Sequence, residues 1–157
     1  MSKPIPAQIR AERLSQLHQY MAKHGLKSTR QRDLIVKLFF ETTEHISCEE
    51  LYERAKKQDT NVGFATVYRT MKVLTDSGLA NRRNFGDGQA RFENTYEGEH
   101  HDHMVCTRCG DISEFESDAA NSLKEEIAKR KGFHIQYHKM ELYGLCRHCH
   151  KLAQKAG

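Results

Sequence analysis

The chain has 157 residues, 38% of them hydrophobic and 29% charged, with a formal net charge of +4. That length suits one ordinary domain or two small ones, and so mild a positive charge permits nucleic-acid binding without demanding it. No apolar run approaches the roughly 20 residues that span a bilayer, and residues 1–13 lack the apolar stretch of a signal peptide, which points to the cytoplasm and to no membrane partner.

Taken in chain order, residues 7–77 follow a helical rhythm. Ile9, Leu14, Leu17 and Met21 recur at helical spacing. Ser28-Thr29-Arg30-Gln31 reads as a capping box that opens a second helix, with Leu34, Ile35, Leu38 and Phe39 on one face. Ser47-Cys48-Glu49-Glu50 is a second capping box ahead of Leu51, Tyr52 and Ala55. A further helix is predicted from about Phe64, with Val67, Met71 and Leu74 inward and its end near Gly78. Two extended runs follow, 79–84 and 89–94, joined by the turn Phe85-Gly86-Asp87-Gly88. Short helices closed by a β-hairpin make a winged helix-turn-helix.

Residues 95–99 are polar and read as a hinge, after which the pattern changes. Residues 103–106 and 111–115 are predicted as short strands around a Cys-x-x-Cys-Gly turn, and 118–131 as a helix ended by Gly132. Alternation of Phe133, Ile135 and Tyr137 with His134, Gln136 and His138 predicts a strand over 133–145.

Cysteine and histidine concentrate in this second half. Four of the five Cys and seven of the ten His lie between His100 and His150. In a reducing compartment, closely paired cysteines are more often metal ligands than disulfides. Cys106-x-x-Cys109-Gly110 and Cys146-x-x-Cys149 each supply two thiolates, and zinc favours four in a tetrahedron. The plainer reading is four buried thiols. A closed four-sulfur site leaves no place for water or substrate and is therefore structural. Cys48, the odd cysteine, reads as a small buried residue.

The run His100-His101-Asp102-His103 is a second candidate. On an extended segment alternate residues face opposite ways, so His101 and His103 point to one side, His100 and Asp102 to the other. Mixed His and carboxylate ligands suit iron, manganese, zinc or cobalt. The plainer reading is a solvated histidine-rich loop. His45, Glu93 and Glu114 are candidates to complete the first side, although spacing alone does not join them.

These features together resemble the ferric uptake regulator family of bacterial repressors. The resemblance runs from about Gly25 to Cys149 and is carried by Gly25-Leu26-Lys27-Ser28-Thr29-Arg30, Ala65-Thr66-Val67-Tyr68-Arg69 and His100-His101-Asp102-His103-x-x-Cys106-x-x-Cys109-Gly110. It implies an α+β chain. A winged-helix DNA-binding domain (1–94) and a hinge (95–99) would precede a small α/β dimerisation domain (100–157) with a four-cysteine zinc site. By resemblance, Cys106, Cys109, Cys146 and Cys149 match the structural zinc ligands. His45, Glu93, His101, His103 and Glu114 match a regulatory site for Fe2+, with Mn2+ or Zn2+ as alternatives. His100, Asp102 and His138 match a second His/carboxylate site. There the family has a Glu where this chain has Asn121, and a neutral amide weakens the site unless Glu125, one turn on, substitutes.

Lys27, Tyr68 and Arg69 match the family's DNA contacts. With Val67, Met71 and Leu74 inward, Tyr68, Arg69 and Lys72 project from the free face of the helix predicted from Phe64, beside Thr66. Arg69 is suited to guanine, Tyr68 to a thymine methyl and Lys27 to an A/T-rich minor groove. Tyr68 also has a plainer reading, as a partly buried core aromatic. The implied partners are a palindromic A/T-rich duplex and a second copy of the chain, with pairing of dimers into tetramers left open. A peroxide-responsive repressor is the nearest rival, but it characteristically carries Asp where this chain has Glu114. A zinc-ribbon scaffold without DNA binding, or a metalloenzyme needing an open coordination position and a general base, are rivals of other classes.

Overall fold

The computed structural model describes residues 5–86, 88–96, 102–136 and 138–155. The chain divides into two compact units, residues 1–98 and 99–157. No helix among the described residues is long and apolar enough to cross a membrane.

The first unit opens with helix α1 (Ala7–Lys23), which buries Leu17 and Met21. Helix α2 (Arg30–Glu41) is capped by Thr29, whose side chain accepts from the Arg32 N–H. Ser28, the residue expected to cap, instead donates to Asp33 at 2.9 Å. A two-residue strand β1 (Ile46–Ser47) leads into helix α3 (Cys48–Gln58). The reciprocal capping box forms there: Ser47 accepts from the Glu50 N–H, and Glu50 accepts from the Ser47 N–H at 2.8 Å. Helix α4 (Phe64–Asp76) buries Val67, Met71 and Leu74 at helical spacing. Its end is set by Gly78, whose φ of 74° lies in the left-handed region that a side chain disfavours.

Strands β2 (Ala80–Asn84) and β3 (Ala90–Asn94) form the wing, and β1 pairs with the other edge of β3. Phe39, Phe40, Ile35, Leu51, Leu74 and Phe92 share one apolar core with the α1 residues. Arg13 of α1 ties the layers together: its guanidinium donates to the Leu79 carbonyl at 2.9 Å and to Thr95 at 2.7 Å.

In the second unit, strand β4 (Asp102–Cys106) is central. Strand β5 (Ile112–Phe115) pairs with it antiparallel. After helix α5 (Asp118–Arg130), strand β6 (Glu141–Gly144) pairs with its other edge in parallel. Among the described residues, the strand expected over 133–145 is therefore confined to Glu141–Gly144. β4 is only five residues long, and its register, His103 opposite Glu141 through Cys106 opposite Gly144, pairs only that much of the stretch. Phe133 instead closes α5, its N–H donating to the Ala128 carbonyl at 2.8 Å. Helix α6 (Arg147–Lys155), not read from the sequence, carries Cys149 in its first turn.

The two units differ in how they hold themselves together. Among the described residues of the second unit, the buried apolar side chains are Val105, Cys106, Ala128 and Cys149. Met104, Leu123, Ile127, Phe133, Leu142 and Tyr143 are exposed. Two of the four side chains in that small core are cysteines.

Candidate metal centres and nucleic-acid interface

Burial of Val67, Met71 and Leu74 turns the opposite face of α4 outward. Tyr68 is 54% exposed, which removes the core-aromatic reading, and Arg69 and Lys72 are exposed beside it. Lys72 pairs with Asp76 one turn on at 3.0 Å, and Thr66 is half-buried. Lys27 is exposed in the turn before α2, where its carbonyl accepts from the Arg32 guanidinium. Helix and wing flank a cleft of about 410 Å³ with Phe64, Tyr68 and Lys72 on one wall and Arg82, Gln89 and Phe92 on the other. Cys48 also lines it. Burial, aided by Glu49 and opposed by Arg82, pushes its thiol up to about 11, so it is neither a nucleophile nor a ready ligand near neutral pH.

The short strand β1 explains how His45 meets Glu93. Ile46 stands opposite Phe92 in an antiparallel pair, so the preceding residue falls beside the following one. His45 Nε2 lies 2.9 Å from Glu93 Oε2, with the His45 ring edge-on to Phe85. The Arg83 Nε–H donates to the other Glu93 oxygen at 2.7 Å. Burial pushes the Glu93 carboxyl up, but the hydrogen bond with His45 and the Arg83 guanidinium outweigh it and hold it down at about 2. The result is an ionised carboxylate beside an imidazole, a donor pair suited to a divalent cation. Arg83, which holds Glu93 beside His45, is a neighbour of this pair that sequence spacing does not show.

In the second unit, the β4–β5 register sets His103 directly opposite Glu114, and the β4–β6 register sets Glu141 on its other side. Glu141 was also missed, because nothing in the sequence shows that β6 runs parallel to β4. His100 and His101 lie outside the described residues.

The four cysteines converge. Cys106, Cys109, Cys146 and Cys149 each offer a sulfur, all within 4.8 Å of one another, with Cys109 and Cys146 sulfurs 3.8 Å apart. Gly110 makes the first knuckle possible, since its φ of 76° lets the chain turn back so that its N–H reaches the Cys106 carbonyl at 2.9 Å. Thr107 joins the knuckles by donating from its backbone to the Gly144 carbonyl at 2.8 Å. Backbone N–H groups of Cys146, Cys109 and Arg108 bring the Cys106 thiol down to about 6. Burial and the neighbouring cysteines push Cys149 up to about 12. Four sulfurs packed this closely cannot all ionise unless a cation sits among them, and the donor set and spacing fit tetrahedral zinc.

The second His/carboxylate set comes together differently. Asp102 is buried and lies 3.4 Å from His138 Nε2. Its other oxygen is 3.3 Å from the Lys124 ammonium, which also donates to Asn121 Oδ1 at 3.3 Å. Glu125 lines the same cleft as Asn121 and His138. It does not join Asp102 and His138 in a ligand cluster: among the described residues of the second unit, the cysteines form the only cluster of three or more ligating side chains.

The profile of the "Ferric uptake regulator family" matches residues 23–143. A relative described as "Ferric uptake regulation protein", from Rhizobium leguminosarum bv. viciae, is 38% identical over 129 residues, 82% of this chain and 90% of that protein. Among solved structures, the Helicobacter pylori ferric uptake regulator, described as having "three functional metal binding sites", superposes with a TM-score of 0.84. It is 27% identical and covers 96% of this chain and 97% of its own. The Francisella tularensis ferric uptake regulator, solved with iron, superposes with a TM-score of 0.73. It is 32% identical and covers 80% of this chain and 96% of its own. The chain belongs to the ferric uptake regulator family.

Proposed function

We propose that this chain is a cytoplasmic, homodimeric transcriptional repressor that binds a palindromic, A/T-rich operator when ferrous iron is bound, with zinc held separately as a structural staple. The observation that carries this reading is the distribution of donors. An ionised Glu93 paired with His45 sits at the wing, and His103 faces Glu114 across two strands of the other unit. Neither pair alone satisfies a divalent ion. In this reading His45 and Glu93, with His101, His103 and Glu114, hold one ion jointly and thereby fix the winged helix against the dimer axis. Two recognition helices are then spaced for a palindrome. Without metal that geometry is a minor state, and metal acts by differential binding to the closed form.

Dimerisation is supported by the apolar side chains that the second unit leaves exposed. A soluble monomer rarely presents so many together, and a second copy covers them. Iron is favoured over peroxide sensing because Glu114 occupies the position where peroxide sensors carry Asp. Regulation is favoured over catalysis because four sulfurs close the zinc site and the remaining ligands are spent in joining the units.

Tyr68, Arg69 and Lys72 read the major groove, and Lys27 reaches the adjacent minor groove. Arg69→Ala is expected to weaken operator binding by about 1–3 kcal/mol if Arg69 reads a guanine bidentately. Metal affinity should not change. Gel-shift titrations with and without divalent metal check this. Equal loss on operator and on random DNA would reduce Arg69 to a phosphate contact.

A further inference from the structure

The chain departs from its family at one metal-binding position, and the structure shows what stands there instead. Asp102 is deeply buried, with 4% of its side chain exposed. A carboxylate so placed needs a compensating positive charge. The matching site would supply it as a divalent ion held by His100, Asp102, His138 and a glutamate at position 121. In this chain position 121 is an asparagine, on the first turn of α5. One turn along, Lys124 is four-fifths buried and extends its ammonium to Asp102 Oδ2 and Asn121 Oδ1, both at 3.3 Å.

We infer that Lys124 is the resident cation of the second His/carboxylate site and replaces a metal ion there. The charges are already balanced. Asp102 and Lys124 cancel, while Asn121 Oδ1 accepts from the same ammonium and His138 Nε2 lies 3.4 Å from the other Asp102 oxygen. A divalent ion entering beside Lys124 would bring two further positive charges next to an ammonium in a poorly solvated place. To bind, it would have to expel Lys124, and it would then find one carboxylate where the family offers two. The residues present do not fit the second metal.

The substitution has a consequence for sensing. A metal at this position would order α5 against β4 only when supplied. Lys124 does so at every metal concentration, because it is part of the chain. The dimerisation unit is then assembled by zinc and Lys124 together, and the response to fluctuating metal is left to the hinge-crossing ligands.

Counting ions tests this independently of DNA binding, so its failure and that of the repressor reading are distinguishable. The zinc-loaded full chain would be titrated with Mn²⁺ without oxygen and counted by native mass spectrometry. The paired change Asn121→Glu with Lys124→Gln should bind one more ion per chain than the parent. In Mn²⁺-soaked crystals, anomalous scattering should mark Asp102 and His138 only in that variant. His138→Ala in the parent should leave its ion count unchanged, which serves if the double variant does not fold. Loss of one ion in His138→Ala, or anomalous density on Asp102 of the parent with Lys124 displaced, would overturn the inference.

Discussion

Replacing Cys106 or Cys146 with serine is expected to release zinc and abolish the stable dimer. Three thiolates do not close a tetrahedron, and structural zinc in small domains is worth about 10–16 kcal/mol of apparent binding free energy at neutral pH. This unit has little else to rely on. Of its four buried apolar side chains among the described residues, two are the ligands Cys106 and Cys149. Cys106 also accepts the Cys146 N–H at 3.3 Å, so the backbone between the knuckles loosens with the metal. The winged helix has its own apolar core, centred on Phe39, Phe40, Leu51 and Leu74, and should keep its helical content. Native mass spectrometry and size-exclusion chromatography read the two losses together. An intact zinc-loaded dimer for either variant would remove the staple from the account.

His45→Ala should separate folding from sensing. If the proposed function holds, the change removes one ligand from the winged-helix unit. Arg83 still holds Glu93 at 2.7 Å, so the buried carboxylate keeps a partner and the wing stays folded. His103 and Glu114 still face each other across β4 and β5 and should still take up a cation weakly. On the proposed reading, the tie to the winged helix is lost. Moving a two-state hinge from mostly open to mostly closed takes about 5 kcal/mol of differential binding, so losing even part of it should cost roughly tenfold or more in metal-dependent operator affinity. His138→Ala is the control, because it touches the Lys124-filled site, and its operator response to metal should match the parent. The opposite pattern would place sensing on the other face of the His100–His103 run.

Some of this architecture was legible in the residues. Val67, Met71 and Leu74 fix the buried face of α4, and the readout face follows by geometry. Two Cys-x-x-Cys knuckles announce a four-sulfur cluster because zinc leaves few other uses for that spacing. What escaped depends on pairing between distant segments. His45 meets Glu93 only because a two-residue strand, too short for any periodic signal, pairs with the wing. The alternation after Gly132 looked like a long strand, yet a strand extends only as far as its partner, and β4 ends the pairing after four residues. Ser28 and Thr29 are both good caps. The choice went to Thr29 because Asp33 captures the Ser28 hydroxyl. Asn121 was visible as a departure from the family, but Lys124 was not visible as its compensation. A lysine on a helix reads as a solvated residue until the fold turns it onto a buried aspartate.

The most direct test of the central claim is operator affinity measured against buffered free Fe²⁺, Mn²⁺ and Zn²⁺ in parallel, without oxygen. Fluorescence anisotropy of a labelled palindromic A/T-rich duplex provides the readout, with the four-cysteine site kept zinc-loaded throughout. Weak binding is expected in the absence of regulatory metal, with a rise of roughly tenfold or more as free Fe²⁺ increases and that rise lost in His45→Ala. Binding that is equally tight with and without added metal would contradict it.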